Sequence, residues 1–251
     1  MKKLLLTTAA VVLAAPAFAA DMPRPVTKAA PVMAAGYNWT GGYVGLHAGG
    51  TWGRVTATET GTIDYNGLGN SWTSDASGFV GGGQFGYNWQ APGSSFVWGL
   101  EGDIGYLGLR GTGVSPLALT QASGTQVHTD GGIYATARGR LGFTANNVLV
   151  YGTGGAIFAD VRAQITDPVF ATPIQPSSHT GWQAGWTAGG GLEFGFGSWS
   201  LKGEYLYYDL GRDDVTSTHT PVAPGGHTHG WDIKTTGHIA RVGLNYRFRG
   251  Y

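Results

Sequence analysis

Residues 182–196 read Trp-Gln-Ala-Gly-Trp-Thr-Ala-Gly-Gly-Gly-Leu-Glu-Phe-Gly-Phe, and they sort into two faces at a period of two. Trp182, Ala184, Trp186, Ala188, Gly190, Leu192, Phe194 and Phe196 fall on one face. Gln183, Gly185, Thr187, Gly189, Gly191, Glu193 and Gly195 fall on the other. Unbroken alternation over this length specifies one strand far longer than the usual five or six residues. Large apolar side chains oppose small and polar ones, so the strand separates two different environments.

Working outward, seven further segments continue the pattern. Residues 44–52 set Val44, Leu46 and Ala48 against Tyr43, Gly45 and His47. Residues 79–89 gather Phe85, Tyr87 and Trp89. In 96–109, Phe96, Trp98, Leu100, Ile104 and Tyr106 oppose Glu101 and Asp103. Ile133, Ala135, Ala137, Leu141 and Phe143 oppose Arg138 and Arg140 in 133–143. Leu201, Tyr205 and Tyr207 oppose Lys202 and Glu204 in 199–209, and in 240–248 Ala240, Val242, Leu244, Tyr246 and Phe248 oppose Arg241, Asn245 and Arg247. Residues 148–159 read as a strand with no assignable faces. Short connections (91–95, 144–147, 197–198) alternate with long ones (53–78, 110–132, 160–181, 210–235). This rhythm predicts an all-β fold: an eight-stranded antiparallel transmembrane up-and-down β-barrel with short periplasmic turns and four long extracellular loops. Strands of this length suit a tilted crossing, which takes ~9–11 residues.

Composition agrees. Of 251 residues 45 are glycine, 12% are charged and 12% aromatic, against about 25% charged in a soluble domain. A soluble barrel with its apolar face inward is disfavoured, because the polar face carries too few charges to solubilise an exterior. There is no cysteine, hence no disulfide framework or thiolate chemistry. Fifteen acids balance fifteen bases, which argues against a nucleic-acid partner.

Met1-Lys2-Lys3, an apolar run and Ala17-Phe18-Ala19 form a secretory signal peptide over 1–19. Residues 20–36 are an Ala/Pro-rich periplasmic leader, and the barrel occupies 37–251. The expected location is the outer membrane of a Gram-negative bacterium.

Aromatic residues gather at the ends of the strands. Trp39, Tyr87, Trp89, Phe96, Trp98, Phe143, Phe194, Phe196, Trp199, Tyr246 and Phe248 are expected at the periplasmic rim. Trp52, Phe79, Tyr106, Trp182 and Tyr207 are expected at the outer rim. Such girdles fix depth at the headgroup interfaces, with outer-membrane lipid and lipopolysaccharide as the expected partners of a monomer. An eight-stranded lumen is just wide enough for side chains, and charges inside it must pair. Parity permits registers that set Glu101 opposite Arg140, Asp103 opposite Arg138, Glu193 opposite Lys202 and Glu204 opposite Arg241. Arg247 has no assigned partner. The expected lumen is plugged by ion pairs, with a narrow charge-lined pore as the alternative.

Tyr37-Asn38-Trp39-Thr40-Gly41-Gly42-Tyr43-Val44-Gly45-Leu46-His47-Ala48-Gly49-Gly50 resembles the opening strand of a known family. The run LVYGTGGA over 149–156 resembles its fifth strand, and Val242-Gly243-Leu244-Asn245-Tyr246-Arg247-Phe248 its last. The family is that of small alpha-proteobacterial outer-membrane "porin family" proteins, which includes immunogenic surface barrels and hemin-binding members. The resemblance runs over the whole mature chain. It implies an eight-stranded monomer like the OmpA and OmpX barrels, inserted by the outer-membrane assembly machinery, which reads an aromatic-ended last strand. Here Arg249-Gly250-Tyr251 follow Phe248, and Tyr251 is out of phase with Tyr246 and Phe248.

Few residues suggest chemistry. Gly81-Gly82-Gly83-Gln84-Phe85-Gly86 matches a dinucleotide fingerprint without its strand–helix setting. His219, His227 and His229, with Asp213, Asp214 and Asp232 nearby, fall in the last long connection. Imidazoles there are weak candidates for a metal ion or an axial ligand to hemin; the plain reading is a solvated polar loop. His238 and Asp209 phase toward lipid with no serine placed beside them. The reading is therefore a non-enzymatic, structural, surface-exposed barrel without a cofactor, serving envelope integrity and contact with the surroundings. A narrow small-solute pore and a hemin or metal receptor are the alternatives.

Overall fold

The computed structural model describes residues 37–60, 71–114, 126–166, 182–219 and 227–248. The expected signal peptide, the 20–36 leader and the terminal Arg249-Gly250-Tyr251 lie outside them. Eight antiparallel strands follow one another: β1 (Gly41–Glu59), β2 (Ser71–Gln90), β3 (Phe96–Val114), β4 (Gln126–Ala145), β5 (Val148–Thr166), β6 (Trp182–Phe196), β7 (Trp199–His219) and β8 (His227–Arg247). Each pairs with the next, and β8 pairs with β1, so the sheet closes.

The strands run much farther than alternation alone predicts. β2 has 20 residues; at ~3.3 Å per residue and a tilt near 40° it rises roughly 50 Å, about twice the ~25 Å apolar band of a membrane barrel. Segments expected to be loop, such as most of 53–59 and 71–78, are therefore ladder standing above the membrane. The outward residues there are polar (Arg54, Thr56, Thr73, Asp75, Ser77) and the inward ones small (Val55, Ala57, Ser74, Ala76), so the large outward apolar side chains that mark the lower strands are missing, but the backbone groups still pair.

Parity behaves as the pattern requires. Leu46, Phe85, Leu100, Leu141, Leu192 and Val242 project outward, while Glu101, Arg140, Glu193, Lys202 and Arg241 are buried inside. The faces of β5 are now assigned: Leu149, Tyr151, Thr153 and Ile157 point inward, and Val150 and Phe158 outward. Much of the glycine excess is spatial. Tyr43, Tyr134, Tyr151 and Tyr208 each lie opposite a glycine on the neighbouring strand, namely Gly86, Gly105, Gly191 and Gly237. A Cβ on Gly86 would stand 2.5 Å from the Tyr43 ring, and one on Gly237 2.5 Å from that of Tyr208. Each ring thus lies across a gap in the sheet that only glycine leaves open.

Candidate functional site

The lumen is built in three layers. Nearest the short turns, Trp39, Val97, Leu149 and Tyr151 form an apolar plug, with Tyr37 packed against it. Toward the other end Val80, Leu107, Leu109, Ile157, Leu206, Tyr208 and Ile239 belong to a second, larger apolar cluster. Between them four carboxylates (Glu101, Asp103, Glu193, Glu204) meet Arg138, Arg140, Lys202 and Arg241, all buried.

Glu101 is the hub. Its carboxylate lies 2.5 Å from Arg138, 2.9 Å from Lys202 and 3.6 Å from Arg140, and it accepts a 2.6 Å hydrogen bond from the Tyr43 hydroxyl. Asp103 takes Arg138 at 2.8 Å and Arg241 at 3.1 Å. Glu204 takes Arg241 at 2.5 Å and Arg138 at 3.2 Å, and accepts from Tyr151 at 2.9 Å. Glu193 holds Arg140 at 2.6 Å and accepts from Ser200 and Asn245. His47 and Tyr134 share a 2.7 Å hydrogen bond beside Arg241. Carboxylates with several donors each, sealed from water above and below, are the arrangement in which buried charges are tolerable.

Some expected pairings are rearranged. The β6–β7 and β7–β8 ladders set Glu193 opposite Lys202 and Glu204 opposite Arg241, but the β3–β4 ladder sets Glu101 opposite Arg138, two residues from the expected register. A slip of two preserves every face, so the alternation that revealed the strands is silent about it. Glu101 and Arg140 still meet diagonally. Glu193 and Lys202 do not pair: Lys202 reaches across the narrow lumen to Glu101, leaving Glu193 to Arg140. Strand register alone therefore misassigns long side chains, which cross the lumen.

Arg247 does have partners. It is buried, donates to the Trp39 carbonyl, lies 5.0 Å from the Trp39 ring centroid and 3.8 Å from Glu193. Trp39 is a correction. Expected at the lipid interface, it is fully buried and its indole N–H donates to Thr144 Oγ1 at 2.9 Å. Residues 37–40 precede the first strand and tuck beneath the lumen, so sheet parity does not govern Trp39. Sequence reasoning placed Tyr43 on the inward face but missed the upper apolar plug and the lumenal Tyr134, Tyr151 and Tyr208. The available signal was Tyr134, Tyr151 and Leu206 in phase with charges rather than with the lipid face.

The rims are aromatic on the outside. Trp89 stacks on Trp98 at 4.2 Å, Phe96 meets Phe143, Trp199 meets Tyr246, and Tyr246 meets Phe248 at the turn end. Phe194 and Phe196 continue that belt. At the other end Trp52 stacks on His238, which shares a 2.7 Å hydrogen bond with Tyr205, and Trp182 is exposed. His219, His227 and His229 sit in the ladder rather than in a loop, His219 opposite His227 and His229 opposite Ser217; their side chains lie outside the described part.

A sheet closed on itself, apolar outside, charged within and ringed by aromatics is the architecture of a membrane barrel. The family model for the outer membrane protein beta-barrel domain matches residues 5–248. The chain belongs to that family. Outer-membrane β-barrels similar to it include the 31 kDa outer-membrane immunogenic protein of Brucella melitensis, 34% identical over 99% of this chain and 100% of the relative. The 25 kDa outer-membrane immunogenic protein of Brucella abortus is 29% identical over 99% of each chain. Among solved structures, the outer membrane protein OprG of Pseudomonas aeruginosa aligns over 85% of this chain and 98% of its own, with 14% identity and a TM-score of 0.49. This outer-membrane β-barrel resides in the outer membrane of a Gram-negative bacterium.

Proposed function

We propose that the chain is a closed, non-catalytic structural barrel that strengthens the outer membrane and carries a ladder raised above it as its outward surface. The observation that carries this reading is the lumen, where ion-paired charges are sealed by an apolar plug at each end. A water-filled path would need a continuous polar lining, and Leu107, Leu109, Ile157, Leu206 and Ile239 interrupt one. The same mutual pairing leaves the lumenal carboxylates without the free acid or base that catalysis requires. Two relatives named as immunogenic support surface exposure of the raised ladder.

Single-channel recording of the refolded, signal-free chain in a planar bilayer tests this. A silent membrane, with folding verified by heat-modifiable gel mobility, is expected. Discrete, reproducible openings would replace the closed barrel with a narrow pore. The rung that sets His219 opposite His227 favours one other reading, a hemin or metal receptor. Saturable hemin binding that disappears in the His219→Ala/His227→Ala/His229→Ala variant would establish it.

A further inference from the structure

We propose that the outward face of the β7–β8–β1 sector, at the upper girdle, binds the phosphorylated sugar headgroup of an outer-leaflet glycolipid. The inference rests on the membrane-spanning reading with the short turns facing the periplasm, and not on the lumen being closed.

The site has an aromatic floor and, above it, three bases set among carboxylates: Arg54 with Asp75, Lys234 with Asp209, and Arg212 with Asp232, opposite which lies the exposed Asp214. Trp52 on β1 and Tyr207 on β7 both lie opposite His238 on β8. Their rings pack against it at 5.8 and 5.3 Å, and Tyr205 closes the group 6.2 Å from Trp52. Directly beyond, Arg54 stands two residues past Trp52, and Lys234 four residues past His238. Arg212 lies opposite Lys234. At ~3.3 Å per residue these bases sit about 7–13 Å along the strands beyond the rings, where phosphates lie if the rings mark the interface. Three neighbouring strands thus bring three bases together on one outward patch.

The backbone is adapted to put them there. On β7, Leu206, Tyr208 and Leu210 point inward, so plain alternation would turn Arg212 into the lumen. The ladder instead shifts register between Asp209 and Arg212, and Gly211 takes φ of +80°. Such a bulge re-aims a side chain, and glycine adopts this backbone without strain. It brings Arg212 out beside Lys234.

Exposure decides between an internally satisfied cluster and an open one. The side chains of Arg212 and Lys234 are 69% and 41% exposed, whereas Asp232 and Asp209, which they approach at 3.4 Å, are 23% and 15% exposed. The cations therefore project past their carboxylates. Arg54 differs, pairing at 3.0 Å with an equally open Asp75. A guanidinium has five donors in a fork that suits phosphate, so long contacts to recessed carboxylates leave most of its donors available. Sugar rings meet the half-exposed rings of Trp52 and Tyr205 beneath, which already stack on His238, and acyl chains the apolar wall of Val242 and Leu244 lower on β8.

The test uses the full mature chain in phosphatidylcholine nanodiscs doped with bis-phosphorylated lipid A, counting lipid A retained by native mass spectrometry. Bases near an anionic surface contribute roughly fivefold each, so Arg54→Gln/Arg212→Gln/Lys234→Gln is expected to weaken retention at least tenfold with unchanged heat-modifiable mobility. The control Arg110→Gln/Arg162→Gln, on the far wall, is expected to retain lipid A as wild type does, and dephosphorylated lipid A to be lost from both. Equal retention by the triple variant overturns the proposal. So does equal loss in the control, which would mean a diffuse rim effect, or equal retention of phosphatidylglycerol at matched charge, which would mean any anionic lipid. Channel openings in the conductance experiment would leave this outward site untouched, so the two readings fail separately.

Discussion

Replacing Glu101 by Gln removes one charge from the lumen while keeping its shape. In the native barrel that carboxylate has Arg138, Lys202, Arg140 and Arg241 within 4 Å and accepts from Tyr43. A glutamine amide offers one acceptor oxygen and presents its NH2 group to donors, so at least one cation loses its counter-charge. Breaking a buried ion pair from one side costs ~3–5 kcal/mol. With a urea dependence near 2 kcal/mol per molar, the unfolding midpoint in lipid vesicles should fall by about 1.5–2.5 M, read from intrinsic fluorescence and confirmed by gel mobility. Two controls locate the effect. Arg54→Gln breaks an exposed pair and should cost under ~1 kcal/mol. Adding Lys202→Met to Glu101→Gln restores the balance of charge and should recover ~1 kcal/mol or more, because residues in one network couple. A Glu101→Gln midpoint within a few tenths of a molar of wild type would refute the reasoning, since it would mean that water reaches this layer and screens it.

The other tests probe the plug and the wall. Trp39→Ala empties the base of the lumen and removes the ring beside Arg247, which should cost ~3–5 kcal/mol in the same urea titration; the upper apolar cluster should keep conductance silent. Leu46→Lys puts a charge on the lipid face, where Leu46 is 72% exposed, and should lower the refolded barrel's stability by ~2–4 kcal/mol if the residue sits near the bilayer midplane.

Period-two alternation, the three short connections and inward parity were all legible because lipid and lumen demand opposite side chains. Legibility failed where that contrast disappears. Residues 152–156 are Gly-Thr-Gly-Gly-Ala, small on both faces, so β5 gave no hint of its orientation until Leu149 and Ile157 were seen inside. Above the girdles the outward face meets water and carries no large apolar side chains, while Val55, Ala57, Ser74 and Ala76 stay buried inside, so the strands there read as loops. The ion pairs were half legible: the eight residues all lie in the buried layer, but Arg247 joins them at Glu193, Lys202 and Glu193 choose partners across the lumen, and no linear pattern encodes that reach.

Charge matching also could not fix the register of β3 against β4, because Glu101 and Asp103 find arginines whether opposed to Arg138 and Thr136 or to Arg140 and Arg138. The cross-strand pairs of tyrosine and glycine do distinguish these states. In the observed register Tyr134 lies over Gly105; a slip of two would set it against Leu107, with no room for both in the lumen. The same logic applies to Tyr208 over Gly237, and there it can be measured. A methyl group at Gly237 would stand 2.5 Å from Tyr208 Cζ but 2.9 Å from the Trp52 carbonyl, so most of the conflict is with the ring. Overpacking of this kind costs ~1–3 kcal/mol. Gly237→Ala should therefore be destabilising in the native chain and cost at least ~1 kcal/mol less in a Tyr208→Ala background. Additive effects of the two substitutions would mean that the glycine is there for the backbone and that the ring does not set the register.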